Sequence, residues 1–182
     1  MAEKLTIFGE SSHPTRVIED PKAIDNPVLA FFLSYWREKR GAEKIPSTAS
    51  FNPKAVRAHL PWIVLADALP GHDDFRYRLV GTRVAEYFAG DGTGKTVREA
   101  FADANNGALE AMIWLYRRVC SECVPVRVTA PGAKSDGVYF PDYDAAYFPY
   151  ASDGRTPDRI LTVFTFNYQK FLETRSVRAL TQ

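Results

Sequence analysis

The sequence predicts an α+β fold. Apolar residues recur at helical spacing from Val28 to Trp36 and again from Leu109 to Cys120, as they do in helices that bury one face. Five other runs are strand-length, either continuously apolar or alternating, and turns rich in Pro, Gly, Asp and Ser punctuate them. The order is helix, two strands, short helices, long helix, three strands, with no internal repeat and no low-complexity tract. The chain has 182 residues, 46% of them hydrophobic. A chain of that length removes roughly 70% of its unfolded surface from water, enough to build a core without metal or disulfide support.

Residues 1–24 carry Ser11-Ser12-His13-Pro14 and Asp20-Pro21, turn chemistry that reads as an irregular N-terminal arm. The domain proper is expected over residues 25–170, with a C-terminal tail at 171–182. Asn26 as N-cap and Pro27 at the first helical position open a helix that carries Val28, Leu29, Phe31, Phe32, Tyr35 and Trp36. Lys39 and Arg40 suit the negative end of its dipole, and Gly41 can take the left-handed position beyond it. Trp62 to Leu69 is an apolar strand, closed by Pro70-Gly71-His72-Asp73-Asp74. The next strand alternates, with Phe75, Tyr77 and Leu79 on one face and Arg76, Arg78 and Val80 on the other, so a hairpin is implied. Thr82 caps a short helix, Arg83 to Ala89, and Thr96 with Glu99 forms a capping box for another through Phe101. Asn106 begins the long helix, in which Leu109, Met112, Ile113, Tyr116 and Cys120 share a face; Pro125 ends it. Strands are then expected at Val126 to Thr129, Tyr143 to Tyr150 and Ile160 to Tyr168.

Charge and composition exclude several function classes. With 23 Lys plus Arg against 22 Asp plus Glu the formal net charge is +1, which gives no broad field for nucleic acid or an anionic membrane. The N-terminus lacks the basic start and apolar stretch of a secretory signal. No apolar run approaches the ~20 residues of a membrane span. Cys120 and Cys123 are the only cysteines, which fits a reducing interior. A cytoplasmic protein is expected.

No catalytic centre and no metal site emerges. Ala89-Gly90-Asp91-Gly92-Thr93-Gly94-Lys95-Thr96 formally matches a relaxed phosphate-binding loop. A working loop of that kind joins a buried parallel strand to a long helix, whereas here short helices stand on both sides. Cys120-Ser121-Glu122-Cys123 has redox or half-zinc spacing but lies at a helix C-terminus, where the dipole disfavours thiolate. The histidines, His13, His59 and His72, supply neither zinc-ligand spacing nor a nucleophilic triad. Asp67, in an otherwise apolar strand, is the one acidic residue that stands out.

The segments Phe51-Asn52-Pro53, Leu60-Pro61-Trp62-Ile63, Phe75-Arg76-Tyr77-Arg78-Leu79-Val80-Gly81-Thr82 and Asp91-Gly92-Thr93-Gly94-Lys95, preceded by Tyr35-Trp36 and Arg40-Gly41, make the chain resemble the PAS domains. The likeness is to short single-domain PAS-like proteins of alphaproteobacteria and runs from about Asn26 to Tyr168. It implies a five-stranded antiparallel sheet of spatial order 2-1-5-4-3 with helices on one face. In that order the first and fifth strands are interior, and their runs are apolar on both faces; Arg76, Arg78 and Arg127 mark the edges. Double-sided apolar strands in an antiparallel sheet require cover on the outer face too. The helix from Pro27 to Arg40 is the spare amphipathic element, so it is expected on that face, from the same chain or a partner chain. Phe31, Phe32, Tyr35 and Trp36 are its candidate interface residues, each worth about 1.5–3 kcal/mol if buried.

The resemblance implies a sensory or regulatory module acting through a small ligand, through dimerisation or through a signalling partner, with a homodimer expected. Haem-binding relatives use a histidine on the long helix and flavin-adduct relatives a cysteine in the short helices; this sequence has neither, so no cofactor is expected. Aromatic residues make up 13% of the chain. Tyr77, Tyr87, Phe88, Met112, Tyr116, Tyr147 and Phe164 are candidate lining residues of a ligand cavity between sheet and helices. Core packing accounts for the same residues, and a ligand-free scaffold or a small enzyme using the loop at 89–96 are the alternatives.

Overall fold

The computed structural model describes residues 3–8, 11–17, 24–87, 90–102, 106–130, 133–135, 138–140 and 142–166. Its elements in chain order are β1 (Glu3–Phe8), β2 (Ser11–Val17), α1 (Pro27–Arg40), β3 (Ile63–Ala68), β4 (Phe75–Val80), α2 (Thr82–Tyr87), α3 (Val97–Ala100) and α4 (Asn106–Glu122). They are followed by β5 (Val126–Ala130), β6 (Ala133–Ser135), β7 (Val138–Phe140), β8 (Tyr143–Tyr150) and β9 (Arg159–Phe166). A 3₁₀ turn, Arg57–Trp62, leads into β3.

The main sheet is antiparallel throughout, in the order β1-β2-β5-β8-β9-β3-β4, and β6 and β7 form a separate hairpin. The five strands β4-β3-β9-β8-β5 are the expected 2-1-5-4-3 arrangement. Strands β1 and β2 correct the reading of residues 1–24 as irregular, because they continue the sheet beyond β5. Pro14 is tolerated there because β2 meets β5 only through Thr15, Arg16 and Val17, while Pro14 is paired with Lys4 of β1.

Period-two alternation splits the sheet into two apolar faces. Val64, Ala66, Tyr77, Val126, Val128, Ala145, Tyr147 and Ile160 pack under α4 with Met112, Ile113, Leu115, Tyr116, Val119 and Cys120. Ile63, Leu65, Ala146, Phe148, Leu161 and Val163 face the other way and are covered by Leu29, Phe32, Leu33, Tyr35 and Trp36 of α1. The outer layer is therefore supplied by the same chain. Trp36 fixes the crossing by donating its indole N–H to the Pro149 carbonyl at 2.8 Å.

Asn26 locks the start of that helix to the sheet. Its Oδ1 accepts from the Val28 and Leu29 amides at 3.1 and 3.3 Å, as an N-cap does. Its Nδ2 donates to Asp144 Oδ2 at 3.0 Å and to Thr165 Oγ1 at 2.7 Å. Arg127 completes the network, donating to both Asp144 carboxylate oxygens at 2.7 and 2.6 Å and to Asp25 at 2.7 Å. The sequence reads Arg127 as an edge charge, but β2 covers that edge and the Arg127 side chain is only 6% exposed. Its guanidinium holds its proton more tightly than usual because the Asp144 carboxylate accepts from it. Asp144→Ala is expected to cost about 3 kcal/mol, since it leaves a buried cation without its main partner. Asp25→Ala, whose side chain is 87% exposed, should cost under about 1 kcal/mol. Urea unfolding of the two variants checks the contrast, and equal losses would contradict it.

Asp67 is explained in the same way: it accepts from Arg159 at 2.6 Å and from Arg78 at 3.1 Å, tying β9, β3 and β4 together. Among the described residues no helix is long and apolar enough to cross a membrane.

Candidate ligand cleft

The glycine-rich loop is consumed by the sheet. The Tyr77 amide donates to the Lys95 carbonyl at 2.9 Å and the Gly94 amide to the Tyr77 carbonyl at 2.7 Å, so the loop closes the outer edge of β4. Thr93 accepts from the Val80 amide at 3.1 Å, and the Thr93 amide donates to Asp91 at 2.8 Å. Hydrogen bonding from the Thr93 hydroxyl, and next from the Thr93 amide, holds the Asp91 carboxyl below its usual range. Gly94 takes a φ of 86°, which only glycine adopts without strain. The following helix, α3, already has Glu99 donated to by the Thr96 amide at 2.7 Å. The Gly90, Thr93, Gly94, Lys95 and Thr96 amides thus pair with protein atoms, and an acidic side chain occupies the helix start.

The two cysteines point into different layers. Cys120 belongs to the core under α4, and Cys123 to the core under α1. Burial pushes the Cys120 thiol up to about 12, away from thiolate chemistry. Cys123 has a φ of 56° and donates its amide to the Val119 carbonyl, so it caps α4. Among the described residues no three His, Cys, Asp or Glu side chains gather as a metal-ligand group.

The predicted ligand residues divide. Tyr77, Met112, Tyr116 and Tyr147 are buried in the inner core and pack against one another, with Tyr116 edge-on to Tyr147 at 6.0 Å. Burial pushes the Tyr116 phenol up to about 12, and those of Tyr77, Tyr143 and Tyr147 also rise because burial penalises the phenolate. Tyr147 Oη has no hydrogen-bond partner among the described residues. Tyr87 is stacked on Phe166 at 4.0 Å, and Phe88 lies outside the described residues. Phe164 reaches an open cleft.

That cleft encloses about 320 Å³ and is lined by Val28, His59, Trp62, Arg83, Phe164, Thr165 and Phe166. It sits where the end of β9 meets the 3₁₀ turn and the first residues of α1 and α2. Its aromatic wall continues inward: Trp62 lies 6.0 Å from Phe166, Phe166 is stacked 5.6 Å from Phe164, and Phe164 is 6.4 Å from Tyr147. Of its described lining residues only Phe164 is predicted from sequence. The others sit at the ends of four elements, where periodicity carries no signal; Trp62 immediately before an apolar strand is the one hint. The candidate interface is also reduced. Phe32, Tyr35 and Trp36 are buried within the chain, whereas Phe31 stays 44% exposed beside His59, 5.5 Å between ring centres.

Among curated proteins no match to this chain is found. The family model of the PAS domain matches residues 24–165, the span that holds both covering helices and the five strands in PAS order. The chain belongs to the PAS domain family.

Proposed function

We propose that this chain is a cytoplasmic sensory or regulatory module without catalysis of its own, which takes a small molecule in the aromatic cleft and passes the change to a protein partner. The cleft carries this reading: its 320 Å³ lies within the range of small-ligand sites, about 300–1,000 Å³. Two of its walls, Phe164 and Phe166, belong to β9, which is hydrogen-bonded to β3 on one side and β8 on the other. A guest against those rings acts directly on the middle of the sheet. The ligand is neither haem nor a flavin adduct.

Native mass spectrometry of freshly purified protein tests the proposal. A retained small molecule, or a metabolite that raises the melting temperature, supports it. Bare mass with no thermal shift supports a second reading, a ligand-free scaffold, which the packing of Tyr77, Met112, Tyr116 and Tyr147 favours. A homodimer is part of the proposal, with Phe31 at the contact; light scattering at micromolar concentration should show a dimer that Phe31→Asp dissociates, and a monomeric native chain would remove it.

A further inference from the structure

Taking the cleft as the ligand site, we propose that it selects a small planar aromatic carboxylate. Its walls suit a flat apolar body. Phe164 and Phe166 lie within 8° of parallel, and Trp62 is inclined 39° to Phe166. Such rings favour offset-stacked or edge-on contact with another aromatic ring.

Among the described lining residues the charge is one-sided: Arg83 and His59 are the basic side chains, and neither Asp nor Glu contributes. The Thr165 hydroxyl is already engaged, accepting from Asn26 and donating to the Asp144 carbonyl, so polar selection falls to the basic pair. Arg83 does donate to Glu86 at 2.9 Å, but the two side chains are 43% and 34% exposed, and exposed pairs of this kind contribute little. A guanidinium offers five N–H donors in one plane, so a ligand carboxylate can share Arg83 with Glu86 or displace it. The volume of 320 Å³ suits a one- or two-ring acid and is too small for a dinucleotide.

Calorimetric titration of the full chain with indole-3-acetate and with uncharged indole-3-acetamide tests the selection. The acid should bind about tenfold more tightly than the amide, the ratio expected of one charge-assisted hydrogen bond. Arg83→Gln should remove that advantage and leave amide affinity unchanged, while Val28→Trp, which fills the cleft from its α1 side, should abolish binding of both. Equal affinity of acid and amide in the native chain overturns carboxylate selection and keeps the cleft as a ligand site. Binding that survives Val28→Trp overturns the location. Failure of both probes overturns the proposed class, and a small molecule retained in native mass spectra would then still uphold the cleft itself.

Discussion

Gly81→Ala is expected to cost about 3 kcal/mol, the upper end of the range for overpacking a close-packed site. An added Cβ would lie 2.4 Å from the carbonyl oxygens of Leu60 and Pro61 and 2.5 Å from the Pro61 carbonyl carbon. These are backbone atoms, so no side chain can swing aside. The Gly81 amide also donates to the Ile63 carbonyl at 2.8 Å, which holds the two strands of the hairpin in place at this point. The substitution must therefore displace the 3₁₀ turn that carries His59 and Trp62. Urea unfolding should show the loss, and ligand binding in the cleft should weaken with it. Gly94→Ala is the control: its left-handed φ is strained for alanine, but nothing lies within 4 Å of the added carbon, so a cost of about 1 kcal/mol is expected. A Gly81→Ala variant as stable as Gly94→Ala would show that the turn is not packed on the end of β4.

Alkaline pH should unfold the protein cooperatively. Tyr77, Tyr116, Tyr143, Tyr147 and Tyr150 all have phenols raised by burial. In the unfolded chain they ionise near a pKa of about 10, while in the folded chain Tyr116 waits until about 12 and the others stay neutral beyond their usual range. Above pH ~10 the folded state thus binds more protons than the unfolded one, and stability falls as pH rises. Below pH ~10 this contribution is fully present. Each such group removes up to about 1.4 kcal/mol per pH unit in the window, so five acting together outweigh any single substitution considered above. Urea midpoints measured across the window, with tyrosinate absorbance, should fall and rise together. Tyrosinate that appears smoothly near pH ~10 with the fold intact would show the rings to be accessible to solvent. Tyr147→Phe should flatten the decline at little cost near neutral pH, because the hydroxyl it removes has no partner among the described residues.

Much of the fold was legible because its elements announce themselves locally. Asn26-Pro27 and Gly41 bound α1, the Thr96–Glu99 box opens α3, and alternation over Phe75–Val80 gives β4 its faces. The need to cover the outer face followed from strands that are apolar on both sides. The local turn chemistry at Ser11-Ser12-His13-Pro14 yields to strand pairing with a distant edge, which no local pattern announces. The same pairing changes the meaning of Arg127: a charge on a strand marks an edge only until another strand arrives there.

The sequence by itself determined the helices, the five strands in PAS order, the family and the double-sided sheet, since each rests on local patterns along the chain. Tertiary structure alone decided that α1 covers its own sheet and that the glycine-rich loop seals β4. It also decided that the tyrosines fill the interior and that the open cleft forms from the ends of four separate elements. Those outcomes depend on which chain ends come together in space. Helical and strand periods describe the faces of elements and carry nothing about where their ends meet.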